Sequence, residues 1–442
     1  MTRHGDTEKK IPHIVVAGGG FGGMEFIKKL RSAPVRITLI DKNNYHTFQP
    51  LLYQVASGGL GAESIGYPYR LIFRGQKNLR YRLAVVEKIF PERKEIQTST
   101  GIISYDYLVL ATGSTTNYFG NKEIEKWSMP MKSIPDALDL RSDLLQEFEV
   151  AVNRQRATEQ QQHMTFVIVG GGPTGVETAG AFAEFKSNVL PHDYPELDPS
   201  LMKVYLVEAG PRLLAGFSEK SGQNALKYLK EMGVDVLLNT VVDRFNGQEV
   251  VFKDGQKLSS STLVWSAGVK GVMIDGLPAE CTAGNRFKVD EFNRVQCMGE
   301  IYAIGDAAGM YTAERPKGFP MVAPVATQQG KLLAANILNI INGKPLNPFK
   351  YRDKGSMATV GRNKAVVDLP FWKFGGFFAF LVWMFLHLML LVGFRNRVVV
   401  FIHWMWNYFT YERALRLIVR KFEGPKKEVP AFEPAPANNP AV

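Results

Sequence analysis

The chain is 442 residues long, 45% hydrophobic and 21% charged, which gives room for two or three domains with substantial cores and excludes a disordered protein. Cysteine is confined to Cys281 and Cys297 and the histidines are scattered, so neither a disulfide scaffold nor a clustered metal centre is expected. The net charge of +11 comes with no groove-reading motif, so nucleic acid is not expected as a partner, and the polar start Met1-Thr2-Arg3-His4-Gly5-Asp6 lacks the apolar core of a secretory signal, so the main body is expected in the cytoplasm.

The first predicted unit reads strand, glycine turn, helix, strand. Ile14-Val15-Val16 leads into Gly18-Gly19-Gly20-Phe21-Gly22-Gly23, which fits G-x-G-x-x-G, and Arg36-Ile37-Thr38-Leu39-Ile40 ends on Asp41. Gly18, Gly20, Gly22 and Gly23 permit a tight turn and close backbone approach, Phe21 lies within the same turn, and the helix N-terminus receives a pyrophosphate. Asp41, roughly 20 positions beyond the glycines, suits the hydroxyls of an adenosine ribose. Further on, Tyr107-Leu108-Val109-Leu110 runs into Ala111-Thr112-Gly113, a small-residue turn against which a cofactor can lie. A polar connection around residues 154–160 precedes a second fingerprint.

That second unit repeats the pattern. Phe166-Val167-Ile168-Val169 leads into Gly170-Gly171-Gly172-Pro173-Thr174-Gly175, and Val204-Tyr205-Leu206-Val207 ends on Glu208 after a longer, Pro-containing insert. Gly172, Thr174 and Gly175 are the expected contacts to a second dinucleotide. A carboxylate at Glu208 favours a free 2′-hydroxyl over a 2′-phosphate, hence NADH over NADPH. Val264-Trp265-Ser266-Ala267-Gly268 closes this unit, with Ala267 and Gly268 beside the cofactor, and Ile301-Tyr302-Ala303-Ile304 later runs into Gly305-Asp306. Two dinucleotides in one chain imply electrons passing between them.

The tail reads differently. Phe374 to Phe394 is almost unbroken apolar sequence, long enough to cross a membrane, and Val398 to Phe409 is shorter and carries His403 and Asn407. A single span would leave Arg395, Arg397 and the following Arg413, Arg416, Arg420, Lys421, Lys426 and Lys427 on the far side, against the positive-inside tendency. The expectation is therefore of helices lying in the membrane interface, with Trp372, Trp383, Trp404 and Trp406 at headgroup depth. A true span and a soluble packed tail are the alternatives.

The ordered set of fingerprint, Ala111-Thr112-Gly113, second fingerprint and Gly305-Asp306 resembles the two-dinucleotide-binding-domain flavoproteins over about residues 12–340. Within that group, the run from Asp41-Lys42-Asn43 through Phe48-Gln49-Pro50 to Val55-Ala56 is similar to the type II (non-proton-pumping) NADH:quinone oxidoreductases, as are Gly175-Val176-Glu177 and Val392-Gly393-Phe394-Arg395-Asn396-Arg397. The resemblance implies an α/β fold with two Rossmann-like domains, the NADH domain inserted in the FAD domain, and a C-terminal amphipathic helical region that anchors to the membrane. The implied bounds are 1–116 and 276–345 for the FAD domain, 117–275 for the NADH domain and 346–442 for the membrane region. Asp41 would hold the FAD adenosine ribose, with Lys42 and Gln49 in the same binding segment; Asp306 would contact the ribityl chain, and Glu177 would lie beside the nicotinamide–flavin stack. The family's quinone motif, Ala-Gln-x-Ala-x-Gln, is matched by Ala323-Pro324-Val325-Ala326-Thr327-Gln328, so only Gln328 carries over and Pro324 replaces the first amide.

Related flavoproteins that reduce disulfides or oxidise sulfide use redox cysteines, and none occurs in the first 280 residues here. Cys281 and Cys297 are expected to be small buried hydrophobes. The implied function is transfer of a hydride from NADH to FAD and of two electrons to a membrane quinone in a respiratory chain, without proton pumping. The setting would be the cytoplasmic face of the cell inner membrane, peripheral, with a homodimer implied by resemblance. A soluble NADH-dependent flavin reductase with a protein acceptor and a membrane-tethered NADH-sensing flavoprotein remain alternatives.

Overall fold

The apolar runs become strands β1 (His13–Ala17), β2 (Arg36–Asp41), β3 (Leu79–Leu83), β4 (Tyr107–Leu110), β5 (Met129–Pro130), β6 (Thr165–Val169), β7 (Lys203–Val207), β8 (Asp235–Leu237), β9 (Thr262–Trp265) and β10 (Ile301–Ala303) in the computed structural model, which describes residues 11–410, 415–418, 422 and 425. One sheet has the order β10-β4-β1-β2-β3 and a second the order β5-β9-β6-β7-β8, with every pairing parallel. In both, the strand that feeds the glycine turn is central and buried along its whole length. Parallel sheets covered on both faces need such continuous apolar strands, which is why these runs do not alternate. All strands of the second sheet fall between β4 and β10 in the chain. The antiparallel pair of Ser114–Thr116 with Val269–Gly271 joins the outgoing and returning connections.

The helices that matter for the site are α1 (Phe21–Lys29), α2 (Leu52–Ala56), α3 (Ile134–Val152), α4 (Pro173–Asn188) and α5 (Ala323–Ile341). A capping box between Ser133 and Asp136 starts α3, which packs on α2 and so ties the two halves together. α5 lies against α1, and a Cβ on Gly330 would stand 2.3 Å from the carbonyl oxygen of Gly22.

The C-terminal part begins with an antiparallel sheet of β11 (Ser356–Thr359), β12 (Ala365–Asp368) and β13 (Lys373–Gly376), followed by α6 (Phe377–Leu390) and α7 (Phe394–Thr410). The long apolar stretch is thus a strand end, a 14-residue helix, a break and the start of a second helix. Gly393 makes the break at φ +87°, packed against the Tyr67 ring. Among the described residues no helix is long and apolar enough to cross a membrane.

Both helices are two-faced. α6 buries Ala379, Trp383 and His387 at four-residue spacing, and α7 turns Asn396, Val400, Trp404 and Asn407 toward the protein. The Asn396 amide donates to the carbonyls of Glu63 and Ser64, and that of Asn407 to Gly59. Phe378, Phe385, Phe401, Ile402, Trp406 and Phe409 point outward.

Two expectations need correction. Trp383 and Trp404 do not face outward as Trp372 and Trp406 do: Trp383 is buried and stacked on His387 at 4.1 Å, and the Trp404 indole donates to Gln54. Helical phase puts these two rings on the inner face, whereas Trp372 and Trp406 are exposed. The cysteines are also not two separate buried hydrophobes. Cys281 is buried, Cys297 lies exposed on the hairpin before β10, and the two are joined in a disulfide with Cα atoms 5.6 Å apart. Residues 282–303 fold back on themselves and close a sequence gap of 16. Of the basic tail residues, Arg416 pairs with Asp193 at 2.8 Å, and Arg397 donates to the Leu391 carbonyl. Arg413, Arg420, Lys421, Lys426 and Lys427 lie outside the described residues.

Candidate functional site

The two glycine turns have the same construction. Gly18 and Gly170 take φ of +104° and +111°, which only glycine adopts without strain. A Cβ on Gly23 would lie 2.1 Å from the Gly18 carbonyl oxygen, and one on Gly175 would lie 1.9 Å from that of Gly170, so each helix folds back onto its own turn. Gly20 and Gly172 face open space, and neither α1 nor α4 has a side-chain cap at its start. Free amides and empty space at a helix N-terminus suit a pyrophosphate. Phe21 and Gly22 open α1, with Gly22 close to the Ala326 carbonyl, and Thr174 stands exposed in the first turn of α4.

The strand-end acids are also held alike. Asp41 accepts from the N–H of Gly19 at 2.7 Å and of Asn43 at 2.8 Å, and Glu208 from those of Gly171 at 2.6 Å and Gly210 at 2.7 Å. Burial pushes the Asp41 pKa up, and the Gly19 and Asn43 amides and the Tyr69 hydroxyl oppose that shift. Tyr69 was not legible in the sequence; its hydroxyl donates to Asp41 at 3.1 Å and its ring fills the place a Gly19 side chain would take. His46 was missed as well. Its Nδ1 donates to the Gly19 carbonyl at 3.2 Å, because that oxygen can only accept, and burial lowers its pKa to about 4.

The other expected cofactor residues gather in two places. Ala111 packs against the Gly18 turn, Thr112 donates to the Val272 carbonyl at 2.7 Å, and Gly113 has φ +72° with open space above it. Asp306 accepts from Ser114 at 2.5 Å, and the Lys132 amine stands 3.9 Å from the same oxygen and 3.3 Å from Gln49. Burial lowers the Lys132 pKa against the pull of Asp306, and no sequence signal singled this lysine out. Lys42 is exposed beside Asp41. Ala267 and Gly268 lie at the second turn, where a Cβ on Gly170 would strike Ala267.

Gln328 is half-buried and its amide is engaged at both ends: it donates to the Arg352 carbonyl at 2.9 Å and accepts from the Arg352 N–H at 3.0 Å. The adjacent Gln329 is the one turned inward, accepting from the Gly305 N–H at 2.7 Å and so fixing the turn that carries Asp306. Helical phase separates the two amides, and pattern matching alone chose the outer one.

Glu177 lies buried one turn into α4. Burial raises its carboxyl well above the usual range, against one opposing hydrogen bond from the Thr359 N–H at 3.4 Å. It lines a cavity of about 490 Å³, a size suited to a small ligand. Tyr53, Gln54 and Thr359 line that cavity together with Glu177, and Phe377, Phe380, Trp383, Met384, Trp404 and Tyr408 line it from α6 and α7. The second fingerprint's helix and the two-faced tail, far apart in sequence, thus wall the same space. Among the described residues no cluster could hold a metal ion.

Residues 12–330 match the pyridine nucleotide-disulphide oxidoreductase family, and residues 354–411 match the NDH2 C-terminal domain. The chain is 37% identical to the type II NADH:quinone oxidoreductase NdhA of Mycobacterium tuberculosis over 88% of this chain and 86% of that one. It is 36% identical to Ndh, the second such enzyme of that organism, over 91% and 89%. In fold it is similar to the solved structure of NDH2 from Plasmodium falciparum in complex with NADH, with a TM-score of 0.85 at 23% identity over 92% of this chain and 100% of that one.

Proposed function

The chain belongs to the type II NADH:quinone oxidoreductase family, and on that footing we propose how its residues serve the reaction. The reaction is NADH + H⁺ + quinone → NAD⁺ + quinol, catalysed by a peripheral membrane flavoenzyme that uses FAD and NADH and pumps no protons. Bound FAD supplies the two-electron relay between nicotinamide and quinone; the chain supplies binding, orientation and electrostatics.

In this reading residues 1–116 and 276–345 hold FAD, 117–275 hold NADH and 346–442 meet the membrane. The first glycine turn takes the FAD pyrophosphate and Asp41 the adenosine ribose, while Lys42, Gln49, the Ala111–Gly113 turn and Asp306 bind the remainder of the cofactor. Lys132, half-buried between Gln49 and Asp306, adds a positive charge there. Gly172, Thr174, Gly175, Glu208, Ala267 and Gly268 bind NADH.

The observation that carries the quinone assignment is the cavity that runs from Glu177 to the aromatic inner faces of α6 and α7. Its apolar lining suits a quinone arriving from the bilayer. Glu177, whose carboxyl burial raises well above the usual range, is placed to give one of the two protons that quinol formation requires. The Gln328 amide uses one hydrogen and one lone pair on Arg352 and carries a second hydrogen with which a quinone carbonyl can pair. The outward aromatics of α6 and α7, flanked by Lys373 and Arg395, support seating on an anionic membrane surface. The cytoplasmic face of the inner membrane and a homodimer complete the reading.

The test is NADH-driven reduction of a short, water-soluble quinone by the purified yellow protein. Turnover with stoichiometric flavin is expected. A colourless protein, or a yellow one that oxidises no NADH in the presence of quinone, overturns the reading.

A further inference from the structure

We propose that Trp404, Gln54 and Tyr53 are positioning residues that fasten the membrane-facing helix α7 to the Glu177 end of the cavity. The proposal rests on the quinone reading of that cavity. The Trp404 Nε1–H donates to Gln54 Oε1 at 2.7 Å, Gln54 Nε2 donates to the Tyr53 hydroxyl at 2.9 Å, and that hydroxyl is 3.0 Å from Thr359 Oγ1. The Thr359 N–H then donates to Glu177. Four elements are linked in this way: α7, α2, β11 and α4.

The direction of the chain is set by its first member. An indole N–H can only donate, so the Gln54 amide must turn its oxygen to Trp404 and its nitrogen to Tyr53. Tyr53 and Thr359 are buried, so loss of the Tyr53 hydroxyl takes from Thr359 Oγ1 its partner in a place water does not readily reach, whereas Gln54 is half-buried. The last link is a backbone amide, which cannot pass a proton on. The chain therefore fixes where Glu177 sits and how dry it stays; it does not conduct. Of the other titratable groups facing the cavity, Glu184 on α4 accepts from the Arg362 amide, and the Arg362 guanidinium donates to the Tyr408 carbonyl on α7. They form a separate set of contacts.

Trp383 provides the control within the same cavity. It is buried, but among the described residues its Nε1 has no hydrogen-bond partner. Trp404→Phe removes an indole N–H that the chain uses, and Trp383→Phe removes one that it does not.

Amide hydrogen exchange of the flavin-loaded protein on liposomes reads the coupling without turnover. Trp404→Phe should speed exchange across residues 356–360 about fivefold or more, and Tyr53→Phe, which keeps the ring and loses the hydroxyl, should do the same. Trp383→Phe should leave exchange in that segment at the parent rate. With a short quinone, the alkaline limb of kcat in Trp404→Phe should move to lower pH as water reaches Glu177, while the KM for NADH stays within twofold. Parent-like exchange in both Trp404→Phe and Tyr53→Phe overturns the proposal, as does an equal rise in Trp383→Phe. Absence of quinone turnover in the parent protein would instead overturn the quinone reading, and the exchange comparison would still decide the coupling.

Discussion

Glu208 and Asp41 show what a single residue at a fixed distance from a turn can reveal. Each follows a glycine fingerprint and a strand, and each receives an amide from the second glycine of its own turn. On the proposed NADH reading, the Glu208 carboxylate is what repels a 2′-phosphate, and Glu208→Ala tests it. The ratio of kcat/KM for NADPH to that for NADH should rise about tenfold, equivalent to about 1.4 kcal/mol; an unchanged ratio removes Glu208 from nucleotide selection. Two buried histidines yield a prediction on stability. Burial lowers His46 and His387 from 6.5 to about 4, so between those values the unfolded chain binds protons that the folded chain refuses. Their contribution is therefore complete above pH 6.5 and lost as pH falls toward 4, at about 1.4 kcal/mol per pH unit for each. His387→Phe should flatten the fall of Tm on acidification; a slope equal to that of the parent would rule His387 out. His46, Tyr69, Lys132 and Gln329 escaped the sequence reading because nothing in their own neighbourhoods marks them. Each reaches its site from a different segment.

At the scale of elements, the tail was legible in composition and wrong in detail. Its hydrophobicity predicted interfacial helices, and α6 and α7 have the expected apolar outer faces. The break between them depends on Gly393, whose positive φ and contact with Tyr67 leave no room for a side chain. Gly393→Ala should strain that turn by about 1 kcal/mol or more and loosen the docking of α7. Faster proteolysis between residues 390 and 400, with flavin content unchanged, is the expected result; parent-like cleavage would mean that the break tolerates a side chain. The inner polar anchors Asn396, Trp404 and Asn407 could not be told from interfacial residues by sequence alone, since an indole serves equally at a headgroup or against a glutamine.

For the whole molecule, the decisive feature is that one cavity joins α4, the helix of the second fingerprint, to α6 and α7. Phe385→Glu combined with Phe401→Glu places charge on the outward face without touching the cavity lining. This variant should leave anionic vesicles and lose most turnover with a long-chain quinone in the bilayer, while keeping turnover with a short soluble one. Equal loss with both quinones would count against delivery through the membrane. The strands of the parallel sheets were readable in advance because each is a short apolar run marked within its own stretch of chain, although β10 returns to β4 only after the whole second sheet. The cavity was not, because Tyr53 and Thr359 meet across a separation of 306 positions.

The amino-acid sequence by itself determined the two dinucleotide turns, the acids that follow them and the apolar character of the tail. Those features depend on backbone conformation, spacing and periodicity within a few tens of residues. Only the tertiary structure decided that Glu177 shares a cavity with α6 and α7, which tryptophans face inward, and that Gln329 holds the Asp306 turn while Gln328 clasps Arg352. Those outcomes follow from packing between distant segments, where the phase of a helix against its neighbour selects one face from sequence positions that look equivalent.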